Sequence, residues 1–213
     1  MSNVGRGRVV GIVDYQAGNI QSIENAFDHQ GARVVRVHAE ADLAACSHLV
    51  LPGVGAFGFC AEKLRATGLV DNIRRWALDD HRPLLGICVG MQLLADGSEE
   101  SPNAPGLGWL GGDVRRIPGA AGIRVPHVGW NTVEFAAGFG EYAAGSAGDF
   151  YFDHSFAHAG PREGETLGYC AHGLRFSAML RRGSIVAVQF HPEKSARTGL
   201  KLLENFVNWN GEN

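Results

Sequence analysis

The fold of this protein is indicated first by residues 83–95, which read PLLGICVGMQLLA. The opening part, PLLGI, is a short apolar run that contains proline and glycine, a pattern typical of a buried strand. The part that follows, VGMQLLA, places Met91, Leu93 and Leu94 on one side of a helix. The stretch therefore predicts a strand that passes directly into a helix across Cys88.

Outward from this stretch, short apolar runs alternate with helical patterns, which predicts an α/β fold with a mostly parallel or mixed sheet flanked by helices. Strands are predicted at Arg8–Asp14, Arg33–His38, His48–Pro52 and Pro83–Ile87, and helices at Asn19–Gln30, within Phe59–Ala66 and Leu69–Asp80, and at Val89–Ala95. After residue 102 the helical periodicity disappears and glycine and proline become frequent. Strands predicted there, at Ile123–Pro126, Phe150–His154 and Ser184–Phe190, extend the sheet before a last helix at Lys201–Trp209.

The composition indicates one globular domain with a small molecule or another protein as its partner. The chain has 213 residues, a size that can fold around one hydrophobic core, and no internal repeat or linker divides it. A single domain over residues 1–213 is therefore expected, with residues 1–7 as a loose tail. The net charge of 19 − 22 = −3 and the pI near 6.3 give no field that attracts phosphates, so nucleic acid and membrane surfaces are not expected as partners. With no run of about 20 apolar residues and no cleavable leader, a cytoplasmic location is expected.

Four cysteines are far apart in the chain and form no CxxC pair, so free thiols are expected at Cys46, Cys60, Cys88 and Cys170. Cys88 differs from the others because glycines stand two residues to either side of it, in GICVG, and permit a sharp strand-to-helix turn. The helix that follows directs backbone N–H groups at the sulfur and favours its thiolate form. The alternative is that Cys88 is one more small buried side chain.

A thiol nucleophile needs a base, and the candidate is His191, at the end of the apolar strand IVAVQFHPE. Pro192 stops that strand, and Glu193 is close enough to orient the imidazole and stabilise its charged form. The alternative for a lone histidine before proline is a surface turn. His154 and His158 are four residues apart but lack a third ligand, so no metal site is expected.

A glycine-rich loop, PGVGAFG, follows the third predicted strand and satisfies G-x-G-x-x-G. A dinucleotide site, and with it an oxidoreductase, would require this motif after the first strand and an acidic residue about 20 positions later, so no cofactor is expected. The other interpretation places the loop beside Cys88, where its N–H groups and that of Val89 face a developing oxyanion.

The motifs together resemble those of the triad-type (class I) glutamine amidotransferases and, within them, the glutaminase subunits of imidazole glycerol phosphate synthase. The resembling segments are DYQAGNIQS, LPGVGAF, GICVGMQLL, SEE, PHVGWN, YFDHSF, QFHPEKS and TGLKLLENF, in this order, between Asp14 and Phe206. The resemblance implies a single α/β domain of flavodoxin-like type. It also implies a glutaminase of histidine biosynthesis.

By this resemblance, Cys88 attacks the side-chain amide of glutamine, His191 carries the proton to the leaving ammonia, and Glu193 orients His191. The resemblance implies an oxyanion hole at Gly53, Val54, Gly55 and Val89, in a loop whose peptide is thought to turn before it becomes competent. It also implies that L-glutamine is held by Gln92, Glu100, His154, Ser155 and Phe156. From the residues alone, Gln92 could equally be a solvated helix residue, and Glu99 with Glu100 a solvated acidic turn.

The resemblance further implies a partner, a cyclase subunit of (β/α)8 type that receives the ammonia within a heterodimer. PHVGWN is interpreted as its docking loop, with the expected interface residues Asn19, Trp130, Tyr151 and Lys194, although Trp130 could instead lie in the core. Two positions depart from the family pattern: Val89 replaces a common leucine, and Asp153 replaces an apolar residue. The departure at Asp153 leaves open an amidotransferase that supplies a cyclase-like partner in sugar modification. A catalytically silent binding subunit is a separate alternative, and the presence of Cys88, His191 and Glu193 together argues against it.

Overall fold

A computed structural model describes residues 7–119 and 121–212, so the tail expected at the start of the chain lies, up to residue 6, outside the described residues. The strands are β1 (Val9–Val13), β2 (Arg33–Val37), β3 (His48–Leu51), β4 (Leu84–Ile87), β5 (Gly97–Ser98), β6 (Asp113–Arg116), β7 (His127–Phe135), β8 (Ala147–His154), β9 (Phe156–Ala159), β10 (Thr166–His172), β11 (Leu174–Arg182) and β12 (Ile185–Val188). The helices are α1 (Ile20–His29), α2 (Glu40–Leu43), α3 (Phe57–Ala66), α4 (Val70–Arg74), α5 (Val89–Leu93) and α6 (Ala196–Asn208), with a π-helical turn at Arg75–Asp79 and a 3-10 turn at Pro192–Lys194.

A nine-stranded mixed sheet forms the centre of the fold, in the order β2-β1-β3-β4-β12-β11-β10-β7-β8. The strands from β2 to β12 in this order are parallel, and the pairs from β12 to β8 are antiparallel. A smaller sheet, β5-β6-β9, lies beside it. The α/β fold with a mixed sheet flanked by helices, expected from the sequence, is confirmed.

The middle of the large sheet is buried on both faces, which explains why its strands read as uninterrupted apolar runs. Every residue of β3, β4 and β12 is buried. The helices α1 and α6 pack against this layer, with the rings of Phe27 and Phe206 6.4 Å apart. Because parallel strands end at the same edge, the segments that follow β3, β4 and β12 meet there.

The predicted elements of the first half agree with the structure to within one or two residues, but the second half departs from the prediction. The strand predicted at Ile123–Pro126 is wrong, because the ladder with β8 begins only at His127. PHVGWN is not a loop, since five of its residues lie in β7. The long hairpin of β10 and β11 was not predicted, and α6 begins at Ala196 rather than Lys201.

Within the described residues, no helix has the length and apolar character required to cross a bilayer.

Candidate active site

Cys88 stands at the junction of β4 and α5, as the sequence predicts. Its backbone has φ 54° and ψ −111°, a conformation that costs a non-glycine residue about 1–3 kcal/mol. The flanking glycines serve a different purpose from the one predicted, because neither Gly86 nor Gly90 has a positive φ. A Cβ at Gly90 would overlap the carbonyl oxygen of Leu51, and one at Gly86 would lie 2.9 Å from Leu94. The glycines therefore allow α5 to lie directly against β3 and β4 and leave the strain at the cysteine.

His191 and Glu193 form a buried pair beside this cysteine. His191 Nδ1 lies 2.8 Å from Glu193 Oε1, and the two side chains are only 3% and 1% exposed. Cys88 and His191 line one cavity. Pro192 begins the 3-10 turn that brings the carboxylate back to the ring. The spacing His-Pro-Glu therefore produces the orienting contact that the sequence predicts, and the surface-turn alternative is wrong for His191.

The electrostatics of this pair favour a positively charged imidazole. Burial alone lowers the pKa of His191, but its hydrogen bonds to Cys88 and Glu193, together with their charges, outweigh burial and raise the pKa to about 10. A proton that His191 takes from the Cys88 thiol therefore stays on the imidazole, close to the sulfur. The arrangement can supply a nucleophile, a base and an orienting acid.

Ser195 fixes the backbone around the histidine, and it was not singled out from the sequence. Its hydroxyl donates to the His191 carbonyl at 2.6 Å and accepts from the Tyr151 N–H at 2.9 Å, while the His191 N–H donates to the Tyr151 carbonyl at 2.8 Å. Ser195 is fully buried. The side chain therefore links the histidine turn to β8.

A cavity of about 340 Å³ opens over the sulfur. It brings together most of the predicted site residues and adds two others, and it is lined by Val54, Gly55, Cys88, Val89, Gln92, Glu100, Pro126, Asp153, His154, Ser155, Phe156, His191 and Lys194. Glu193 and Gly53 are not among the residues that line it. The volume is sufficient for a small amino acid rather than a dinucleotide.

Two amides continue the polar network below the cysteine. Gln92 is buried, not a solvated helix residue, and its Nε2 donates to the Phe156 carbonyl at 3.0 Å and to Gln189 Oε1 at 3.1 Å. Gln189 Nε2 in turn lies 3.8 Å from Cys88 Sγ. The sequence analysis missed Gln189, although the amide stands alone within the apolar run IVAVQF and could have been noticed there. Its position joins the cavity wall to the nucleophile.

Glu100 lines the cavity and also caps the helix opposite. Its Oε2 accepts the Phe57 N–H at 2.7 Å, at the first residue of α3. The neighbouring Glu99 is exposed and accepts the Arg116 N–H at 3.1 Å instead. The interpretation as a solvated acidic turn is therefore correct for Glu99 and wrong for Glu100, whose half-buried carboxylate faces the cavity.

A row of neutral histidines lies behind the cavity wall. His154 Nδ1 donates to the Phe156 carbonyl at 2.8 Å, so its Nε2 must accept the His127 Nδ1–H at 2.9 Å. His127 Nε2 then accepts from Asn131 Nδ2 at 3.1 Å. Burial lowers the pKa of His127 to about 3 and that of His154 to about 4. We call His154, His127 and Asn131 the histidine row; it holds the wall at residues 154–156 in place.

Metal coordination is not indicated by these histidines. His154 is engaged at both ring nitrogens, and His158 is buried elsewhere with neither ring nitrogen paired. Across residues 7–119 and 121–212, no three His, Cys, Asp or Glu side chains are placed to hold a metal ion.

The glycine-rich loop, residues 52–56, lies beside Cys88 but presents a carbonyl where the sequence predicts N–H groups. The Val89 N–H donates to the Gly53 carbonyl at 3.3 Å. Gly55 has φ +98°, and a Cβ there would meet nothing within 4 Å. The donor that follows the nucleophile is therefore engaged within the protein in this structure.

Of the predicted interface residues, Lys194 lines the cavity, and Trp130 and Tyr151 pair in the β7–β8 ladder. Trp130 is 55% exposed and Val128 54%, so Trp130 is not a core residue. The Trp130 and Tyr151 rings are 6.3 Å apart, and Lys194 Nζ lies 5.8 Å from the Tyr151 ring. We call Val128, Trp130, Tyr151 and Lys194 the β7–β8 face.

Two further positions were singled out from the sequence. Asp153 pairs with Val128 in the β7–β8 ladder, and its carbonyl lies 4.0 Å from Cys88 Sγ. Its exposed side chain is thus at the entrance to the cavity. Asn19 is exposed immediately before α1.

Comparison with known proteins identifies relatives over nearly the whole chain. Residues 11–209 match the family model described as glutamine amidotransferase class-I. The chain is 44% identical over 203 residues to the imidazole glycerol phosphate synthase subunit HisH of Moorella thermoacetica, covering 93% of this chain and 94% of that protein. It is 43% identical over 206 residues to the subunit HisH of Ruegeria pomeroyi, covering 93% and 97%.

A plant relative is longer, and solved structures share the fold. The chain is 40% identical to the chloroplastic imidazole glycerol phosphate synthase hisHF of Arabidopsis thaliana, covering 93% of this chain but 34% of that protein. A crystal structure described as a glutamine amidotransferase superposes with a TM-score of 0.74 at 22% identity, covering 94% of this chain and 99% of that one. PurLQS from Thermotoga maritima also gives a TM-score of 0.74, at 17% identity, covering 95% and 98%.

Proposed function

Since the chain belongs to the glutamine amidotransferase class-I family, we propose that it hydrolyses L-glutamine to glutamate and ammonia. We further propose that it does so as the amidotransferase subunit of an imidazole glycerol phosphate synthase in histidine biosynthesis. The extensive similarity to subunits with that name supports the assignment. The observation that carries it is the meeting of Cys88 and His191 in one cavity, with Glu193 paired to His191.

The proposed reaction involves all three members of this triad in both halves of the cycle. Cys88 Sγ, whose proton is already held by the charged His191 imidazole, attacks the amide carbon of the glutamine side chain. The tetrahedral intermediate collapses when His191 returns the proton to the departing nitrogen, which leaves as ammonia. Water then attacks the thioester with His191 as base, releasing glutamate and restoring the thiol. Glu193 holds Nδ1 so that Nε2 faces the sulfur throughout.

The cavity wall supports recognition of a free amino acid. We propose that the Glu100 carboxylate receives the α-ammonium group, since a charge-assisted contact distinguishes free glutamine from an uncharged amide. The opposite wall, His154 to Phe156, is fixed by Gln92 and the histidine row, so it is arranged before the substrate arrives. The oxyanion is assigned to Val89 and the loop from Gly53 to Gly55, after the Gly53 carbonyl turns away.

A second subunit is proposed to receive the ammonia. The plant relative includes a segment like this chain within a protein about three times as long, which supports a close functional link between the amidotransferase and another part of the synthase. We propose a cyclase subunit of (β/α)8 type that forms a heterodimer by docking on the β7–β8 face. Two large apolar side chains, Val128 and Trp130, are exposed there beside the cavity mouth, a placement that suits an interface.

The test is glutamate release from glutamine by the full chain, with and without the cognate cyclase subunit and its ribotide substrate. Turnover that requires the partner and is lost in Cys88→Ala supports the proposal. The matched control is Cys170→Ala, which removes a buried thiol from β10 and should keep the activity. Activity that persists in Cys88→Ala would contradict the triad. An inactive complete mixture of correctly folded subunits would instead favour a silent binding subunit.

A further inference from the structure

Three consecutive carbonyl groups of the glycine-rich loop each accept a hydrogen bond from a different part of the fold. Tyr15 Oη donates to the Pro52 carbonyl at 2.6 Å, and Cys60 Sγ donates to the Val54 carbonyl at 3.4 Å. Between them, the Gly53 carbonyl accepts the Val89 N–H at 3.3 Å. The two side chains therefore secure the loop on either side of the peptide that engages Val89.

Both side chains are equipped to act as donors. Tyr15 is 2% exposed and Cys60 is fully buried. Burial raises the pKa of Tyr15 well above its usual value and raises the pKa of Cys60 to about 11, so both keep their protons at neutral pH. The phenol and the thiol also contact each other. They form a single buried support that comes from two different elements, the segment after β1 and helix α3.

The space on one side of Gly53 is also narrow, which restricts movement of the loop. A Cβ at Gly53 would lie 2.7 Å from the Gly90 nitrogen and 2.8 Å from Tyr15 Oη. On the other side of the loop, around Gly55, there is open space. Gly53 therefore has no room to move towards Tyr15, whose hydroxyl is itself held by the Pro52 carbonyl.

This arrangement bears on the reaction because the N–H that follows a nucleophile is the usual donor to the oxyanion. The Val89 N–H becomes available only when the Gly53–Val54 peptide turns. We propose that Tyr15 and Cys60 are positioning residues that hold the loop with the Val89 N–H engaged and thereby limit turnover without a partner. This inference rests on the proposed glutaminase function.

The test compares glutamate release by Tyr15→Phe and Cys60→Ala with that of the native chain, in the absence and presence of the cyclase subunit. Each substitution removes one buried hydrogen bond from the closed loop, so the partner-free kcat should rise about fivefold. The KM for glutamine should not change, because neither residue lines the cavity. The partner-activated kcat should also stay the same. Cys60→Ser, which keeps a donor, should give a smaller rise than Cys60→Ala.

The chain offers a matched control for each variant. Tyr142 Oη donates to the Thr198 carbonyl at 2.6 Å, and Cys46 Sγ donates to the Asp42 carbonyl at 3.3 Å, both away from the loop. Tyr142→Phe and Cys46→Ala thus remove bonds of the same kind and should leave the partner-free rate unchanged. A rise in the controls equal to that in the test variants would show general loosening and overturn the proposal.

A second measurement keeps the inference separate from the proposed function. Hydrogen exchange of the Val89 amide, followed by NMR on the full chain with no substrate, reports the bond to Gly53 whether or not the protein hydrolyses glutamine. It should accelerate in Tyr15→Phe and Cys60→Ala but not in the two controls. Unchanged protection of Val89, or an unchanged or lower partner-free kcat in an otherwise active enzyme, refutes the positioning role. Loss of all glutamate release in the native complex, with accelerated exchange in the variants, refutes only the glutaminase proposal.

Discussion

Glu193→Gln isolates the contribution of one buried charge to the candidate active site. The substitution keeps the size of the side chain and replaces a carboxylate whose Oε1 lies 2.8 Å from His191 Nδ1. Because both side chains are almost completely excluded from water, the pair interacts with little screening. In Glu193→Gln, the charged imidazole should therefore lose most of the stabilisation that the carboxylate gives it.

The size of the effect follows from the distance. Two unit charges 2.8 Å apart attract by about 6 kcal/mol at an effective dielectric constant of about 20, before the cost of burial is subtracted. An opposite charge at such a distance changes a pKa by about 1 to 3, so we expect the pKa of His191 to fall from about 10 by about 2. With the orienting contact weakened, kcat should drop by about a hundredfold or more.

The assay is a titration of the ring nitrogens by NMR in protein labelled with ¹⁵N-histidine, using His191→Asn to assign the signal. His48 provides an internal control, because burial lowers its pKa to about 4 at a position held by Trp209 rather than by the triad. Its signal should be identical in both proteins. If His191 titrates at the same pH with and without the carboxylate, the electrostatic account of the pair is refuted.

The same shift makes the stability of the fold depend on pH. Since the pKa of His191 is raised from 6.5 to about 10 on folding, its contribution is complete below pH 6.5 and disappears as the pH rises to about 10. In Glu193→Gln the loss should be complete at a lower pH, because the folded pKa is lower. Chemical denaturation at pH 6 and at pH 9 would measure this, and an equal pH dependence in the two proteins would contradict it.

Three further changes test the β7–β8 face, the strand-to-helix turn at Cys88 and the buried amides. Trp130→Ala should weaken binding of the cyclase subunit by about 2 kcal/mol or more in calorimetry, whereas Phe59→Ala, at another exposed ring, should not. Gly90→Ala should lower the free energy of unfolding by about 1–3 kcal/mol or more, while Gly97→Ala, whose new Cβ would make an ordinary contact, should change it by about 0.5 kcal/mol or less. Gln189→Leu should reduce the partner-activated kcat/KM about tenfold, since it removes both amide contacts, and unchanged kinetics would exclude a role for that residue.

Each half of the candidate triad is predictable because its signal is local in sequence. A strand, a cysteine and a helix follow one another around Cys88, and the turn that begins at Pro192 brings Glu193 to His191. The reason for the glycines beside Cys88 could not be predicted in the same way, since the carbonyl that Gly90 approaches belongs to Leu51 in another strand.

Strand β7 was not predicted because, in its first half, a polar residue faces inward and apolar residues face outward. Its inward positions include His127, which hydrogen-bonds with His154 and Asn131, and its outward positions include Val128 and Trp130. A pattern that assigns apolar residues to the core therefore fails there. The bond from Gln189 towards Cys88 spans 101 residues of sequence, so no spacing rule could indicate it.

The histidine row has a consequence for how protons reach the site. The Phe156 carbonyl can only accept, so it fixes the direction of every hydrogen bond back to Asn131, and an extra proton on either ring would place two donors face to face. The row is thus a chain of hydrogen bonds along which a proton cannot pass. Protons that His191 exchanges during turnover are therefore expected to arrive from the cavity that it lines rather than through this row.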